Sequence, residues 1–245
     1  MRLRTALLFL CFLPLLLPAQ DLLSKADSLF DQRETPDRLS EAVKLLEQEQ
    51  QTRPGQYPVL WRLCKYLYHQ GLHLSSGPVA ETFNKAVNYG ERAVKVDPKG
   101  VEGHYWLAVA YGKYGEAKGV MKSLSLVSPI KREIYTALRT QREYEGAGAY
   151  RVLGRLFFKL PGLFGGDKDK ALNYLQKGKE LYPSNPLTRL YLAEVLFEKK
   201  KSAEAWAELD YLLSLTATEA RWNPELPLVL KEARELASKH PRKGR

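Results

Sequence analysis

Three stretches share one design: "SEAVKLLEQEQQTRP" (Ser40 to Pro54), "NKAVNYGERAVKVDP" (Asn84 to Pro98) and "DKALNYLQKGKELYP" (Asp169 to Pro183). Each places a small residue, Ala42, Ala86 or Ala171, in the first turn of an apolar-periodic run. Each ends on a proline, whose missing N–H and ring cannot continue a helix. A small residue at a fixed phase lets a second helix approach closely, so each stretch predicts the second member of a helix pair.

The first members lie upstream. "GHYWLAVAYGKYG" (Gly103 to Gly115) carries Ala108 and Tyr111 at the small and aromatic positions, "AYRVLGRLFFKLP" carries Gly154 and Phe157, and "LTRLYLAEVLFEKKKSAEAWAELDYLL" holds a whole pair through Ala193 and Ala205. Units around Ala26 and Cys64 bring the number to five. Self-similarity of this kind is the signature of a helical repeat array. The fold class is therefore all-α, a tetratricopeptide-like α-solenoid, with apolar residues recurring at three and four from Leu22 to Leu236 and no sustained strand alternation.

The spacing departs from a regular unit of about 34 residues, whose two small positions stand about twelve apart. Ala193 and Ala205 keep that spacing, whereas Ala26 to Ala42 is sixteen, Cys64 to Ala86 and Ala108 to Ile130 are each twenty-two, and Gly154 to Ala171 is seventeen. The insertions are expected as loops on one face, with a short extra helix over Val120 to Leu126 closed by Pro129. They either build a cavity or seal the ends of a small solenoid.

The opening "MRLRTALLFLCFLPLLLPAQ" has two arginines, an apolar run from Ala6 to Leu17 and Ala19 as a small residue for cleavage. It reads as a signal peptide over residues 1–19, with a periplasmic or secreted repeat domain over 21–240 and a basic tail over 241–245. Leu10 precedes Cys11 where lipidation wants a small residue, so no lipid anchor is expected. Without the leader Cys64 stands alone and no internal disulfide can form. The formal charge of +10 becomes +8 without Arg2 and Arg4, and much of the excess sits in Lys199 to Lys201 and the tail. That distribution reads as solvated faces and does not indicate nucleic-acid binding.

The residues give no catalytic motif. "GLFGGDKDKA" lacks the Gly-Lys-Ser/Thr of a phosphate loop, and Asp167 is expected to cap the following helix, with Gly165 and Gly166 serving the backbone. Leu163 and Phe164 either tuck beneath that loop or meet a partner. His69 and His73 have helical spacing but no accompanying acid, and His104 is isolated, so neither a metal nor a cofactor is expected. Tyr105, Trp106, Tyr111, Tyr114, Tyr135, Tyr144 and Tyr150 crowd the middle units. Buried hydroxyls need partners, so some should face a wet groove, with His104, Tyr111 and Tyr150 as its expected lining.

"GHYWLAVAYGKYGEAKGVMKSL" together with "YEGAGAYRVLGRLFFKLPGLFGGDKDKALNYLQKGKELYPSNPLTRLYLAEVL" resembles the TRAP transporter T-component family over roughly Glu81 to Leu213. A weaker likeness, to the eukaryotic regulators of microtubule dynamics, covers the same helical plan. The first resemblance implies a non-enzymatic periplasmic adaptor that associates with a solute-binding protein, handles an apolar or organic-acid ligand and assembles as a homotrimer. The other reading of the same residues is a general tetratricopeptide scaffold for protein partners in the cell envelope.

Overall fold

The computed structural model describes residues 19–242 apart from 75 and 218. The leader reading, with Cys11, and the last three residues of the basic tail lie outside the described residues.

Eleven α-helices and two 3-10 turns make up the described chain, without a strand. Five antiparallel pairs follow in order: α1 (Ala19–Phe30) with α2 (Pro36–Thr52), α3 (Tyr57–His73) with α4 (Val79–Val96), α5 (Val101–Lys118) with α6 (Val120–Thr140), α7 (Tyr144–Lys159) with α8 (Lys168–Leu181), and α9 (Pro186–Glu198) with α10 (Ser202–Leu213). A last helix, α11 (Leu226–Lys239), packs against α9 and α10 and covers the end of the array.

Proline punctuation explains the helix ends. Arg53, Asp97 and Tyr182 each precede a proline, and all three leave the helix with nearly the same extended backbone, φ/ψ −130/81, −130/93 and −135/79. The proline ring disfavours the helical region for its predecessor, so all three repeats turn at nearly the same angle into the next unit.

The small positions mark the helix crossings. Ala26, Ala42, Cys64, Ala86, Ala171, Ala193 and Ala205 are all inaccessible to solvent. At Gly154 the approach is closer still, for an added Cβ would stand 2.5 Å from Cγ of the buried Leu175. Cys64 belongs to this set, and burial raises its thiol pKa well above the ordinary range, which makes it a core residue and no nucleophile.

The inserted residues mostly lengthen helices. The expected short helix closed at Pro129 is instead the first half of a continuous α6 of 21 residues. Pro129 removes one backbone donor inside that helix, but Leu126, Ile130, Ile134 and Ala137 stay buried on a single stripe through it, and their burial outweighs the lost bond. The link from α5 to α6 is Gly119 alone, at φ 94, a backbone region that side chains disfavour. The hairpin therefore projects as one rigid arm.

The α7–α8 junction takes all its extra residues as a loop, eight residues against three between α9 and α10. Gly162–Phe164 forms a 3-10 turn, Gly165 adopts φ 88, and a Cβ on Gly166 would lie 1.8 Å from the Leu160 carbonyl oxygen. Asp167 accepts hydrogen bonds at 2.9 Å from the amides of Asp169 and Lys170, the expected cap of α8. Leu163 and Phe164 are 92% and 50% exposed, so the loop does not bury them.

Two glycines test the crossing argument. Gly154→Val should lower unfolding stability by about 1–3 kcal/mol through overpacking against Leu175. Gly112→Ala, where nothing lies within 4 Å of the added carbon, should raise it by about 0.5–1 kcal/mol. Urea midpoints of both variants moving in the same direction would refute the assignment.

Candidate functional site: a cavity on the concave face

Short connections make each helix antiparallel to the next, so α3, α5, α7 and α9 run parallel and line the inner face. Between them lies a half-enclosed cavity of about 990 Å³. The arm of α5 and α6 forms one wall through Val120, Leu124 and Val127, opposite Leu156, Leu160 and Pro161 at the end of α7. The insertion does build a cavity wall, and this end is largely apolar, with Lys113, Glu116, Ser123 and Lys159 also lining it.

The other end is polar and closed by the chain itself. The 3-10 turn Ala220–Glu225 reaches back to the first unit, where Arg33 donates to both carboxylate oxygens of Glu225 at 2.6 and 2.8 Å. His69 places its Nδ1 3.0 Å from the same carboxylate. Burial opposes ionisation of Glu225, but the adjacent His69 ring and the Arg33 guanidinium prevail and hold its carboxyl at about 2. Trp222, on the same turn, lies over Gly146, where an added Cβ would come within 2.5 Å of the indole. The first unit and the turn before α11 therefore meet across the cavity.

Gly146 sits in an unusual start to α7. Glu145, Gly146 and Ala147 have φ 50, 60 and 57, three consecutive left-handed residues, two of them with side chains. Such residues cost about 1–2 kcal/mol each, so the turn persists because its surroundings hold it. Arg151, 8% exposed, donates to the carbonyls of Glu145 and Gly146 and to the hydroxyls of Thr188 and Tyr105. Lys65 pairs with the Glu145 carboxylate at 3.0 Å and stands over the rings of Phe30 and Trp106. The indole of Trp106 donates to the Tyr144 hydroxyl at 3.0 Å.

Of the expected lining residues, Tyr111 borders the cavity, with its hydroxyl turned outward to donate to Glu91 at 2.7 Å. His104 does not line it. It is buried between α5 and α6, Nδ1 at 2.7 Å from Glu133 Oε2 and Nε2 at 3.0 Å from the Pro98 carbonyl. Two acceptors, one at each ring nitrogen, are satisfied together only by the imidazolium, and the Glu133 contact leads the causes that raise the His104 pKa. Tyr150 also lies elsewhere, beside Tyr174 and Gly178 of α8. Leu163 and Phe164 stand outside the cavity on the α7–α8 loop, with Gly165, Gly166 and Asp167 shaping that loop. Among the described residues no group of three histidine, cysteine or acidic side chains is placed to hold a metal ion.

Sequence reading missed Lys65, Tyr68, Arg151, Tyr191 and Trp222, which line the cavity. The clearest signal was Arg151, a charge among the core-facing Gly148, Ala149, Leu153 and Gly154 of "GAYRVLG".

The His104 clasp gives a pH test. With its folded pKa raised, the ion pair contributes fully below the unfolded value of about 6.5 and fades as pH rises through the folded value. The stability difference between the native chain and His104→Asn should be larger at pH 6 than at pH 9. Equal urea midpoint differences at the two pH values would contradict the imidazolium assignment.

Comparison with known proteins supports this architecture. TTC0263, a thermophilic tetratricopeptide protein of Thermus thermophilus, aligns with TM-score 0.65 and 21% identity over 88% of this chain and 98% of its own. MamA aligns at 0.48 with 18% identity over 85% of this chain and 94% of its own, and yeast Tom70 at 0.34 with 14% identity over 97% and 67%. At this identity the likeness to TTC0263 establishes the fold alone. No curated protein matches the sequence significantly. Of the two resemblances seen in the sequence, the weaker is the one a family match carries: residues 22–163, from α1 to the loop after α7, match the family described as regulator of microtubule dynamics protein 1-3, and the chain belongs to that family.

Proposed function

We propose that this tetratricopeptide-like protein is a non-enzymatic binding protein whose cavity holds an elongated, largely apolar ligand such as an organic acid. The observation that carries the reading is the cavity of about 990 Å³, largely apolar along the arm of α5 and α6 and closed at its other end by the turn Ala220–Glu225. That volume lies at the upper end of the range for small-molecule sites, roughly 300–1,000 Å³. Closure of one end favours a discrete ligand over a peptide running through an open groove. The signal-like leader supports a site of action in the periplasm or outside the cell, where the chain would act as an adaptor to the solute-binding protein of a TRAP-type transporter, as a homotrimer.

A scaffold role is the second reading. Leu163 and Phe164, exposed at the α7–α8 loop, favour it, since adjacent exposed apolar side chains on a rigid turn suit a protein contact.

The chain purified from envelope extracts and examined by native mass spectrometry should carry a small molecule that denaturation releases, and Leu156→Arg should abolish it. Recovery of an empty chain that also fails to bind an apolar fluorescent probe would remove the ligand reading. Loss of a co-purifying protein in Leu163→Glu/Phe164→Glu, with the small molecule retained, would support the scaffold role.

A further inference from the structure

The polar end of the cavity holds an excess of hydrogen-bond donors. Arg151 is buried and lines the cavity, yet no carboxylate lies within ion-pairing distance of it among the described residues; its partners are two carbonyls and two hydroxyls. Arg155, Lys65 and Arg33, which line the same cavity, are each paired with a glutamate. A buried guanidinium without a counter-charge is costly, and its neighbours here supply only dipoles.

Three tyrosines point the same way. Tyr68 and Tyr191 line the cavity, and neither hydroxyl has a hydrogen-bond partner among the described residues. Tyr144 accepts from Trp106 and keeps its own proton unused. Tyr68, Tyr105, Tyr191 and Arg151 lie within electrostatic reach of one another, so these groups converge on one region. Burial raises the pKa values of Tyr68, Tyr105, Tyr144 and Tyr191, and each stays protonated at neutral pH. Hydroxyls inside a protein normally find partners, and a ligand offering acceptors would supply them. The carboxylates within electrostatic reach of these tyrosines include Glu145 and Glu225, which are already paired with Lys65 and Arg33.

We infer that Arg151, Tyr68, Tyr144 and Tyr191 form a receptor for an oxyanion head, carboxylate or phosphate, of a ligand whose apolar body extends along Val120, Leu124 and Leu156. The inference rests on the cavity being a ligand site and adds the chemistry of the head. A neutral apolar ligand would leave the donors unmet and the guanidinium uncompensated, so the site discriminates by charge at one end and by shape at the other.

Displacement of an apolar fluorescent probe from the full chain at pH 8, by dodecanoate, dodecyl phosphate and dodecan-1-ol, tests this. At least one of the two anions should bind tighter than the alcohol by roughly tenfold or more, the range for hydrogen bonds to a charged group. Whichever anion binds tighter identifies the head. Tyr68→Phe and Tyr191→Phe each remove a hydroxyl that bonds nothing in the protein, so thermal unfolding should not change. Each should weaken the preferred anion several-fold and leave dodecan-1-ol unaffected, while Arg151→Met should remove most of the preference. Equal binding of anions and alcohol, or tyrosine variants that weaken both alike, would overturn the oxyanion receptor and leave the cavity reading standing. Binding of none of the three would overturn both.

Discussion

The close crossing of paired helices at small side chains is the constraint on which the other features depend. Ala26, Ala42, Cys64, Ala86, Ala171, Ala193 and Ala205 are fully buried where helices meet. A larger residue at any of them would push its helix outward and change the curvature of the array, as overpacking forces backbone shifts in a dense core. Curvature in turn sets the distance between the first unit and the turn before α11. Only a tightly wound array brings Arg33 within 2.6 Å of Glu225, 192 residues away in sequence. The half-enclosed cavity is therefore a consequence of small residues that do not line it.

The cavity differs in kind from the core that supports it. The core is mostly aliphatic and aromatic; the polar end of the cavity gathers Arg151, Lys65, four tyrosine hydroxyls and three left-handed residues. Strain at 145–147 and an uncompensated guanidinium both cost stability. Structures retain such costs where surroundings over-determine them, and here Arg151 ties the strained carbonyls while Trp222 covers Gly146. The residues that oppose stability thus stand together at the place best suited to receive a ligand.

Repeat number, helix pairing and the turns at Pro54, Pro98 and Pro183 were all legible from spacing and proline punctuation. These are local properties: a proline restricts the residue before it whatever surrounds it. The cap at Asp167 was legible for the same reason. Pro129 misled because a local rule met a tertiary one, and the buried stripe of Leu126, Ile130 and Ile134 carried the helix through. His104 and Tyr150 misled because a residue's side of a helix can be read from its phase, but the identity of the neighbour on that side cannot.

The sequence by itself determined an all-helical array of five pairs, the phases of its small residues and the absence of a recognisable catalytic motif, since each follows from intervals of a few residues along the chain. Tertiary structure alone decided that the α5–α6 insertion becomes a cavity wall, that residues 33 and 225 meet, and that Arg151 faces three tyrosines from different helices. Those outcomes depend on small rotations summed over successive units. No interval in the sequence encodes that sum, because it is set by how closely every pair of helices packs.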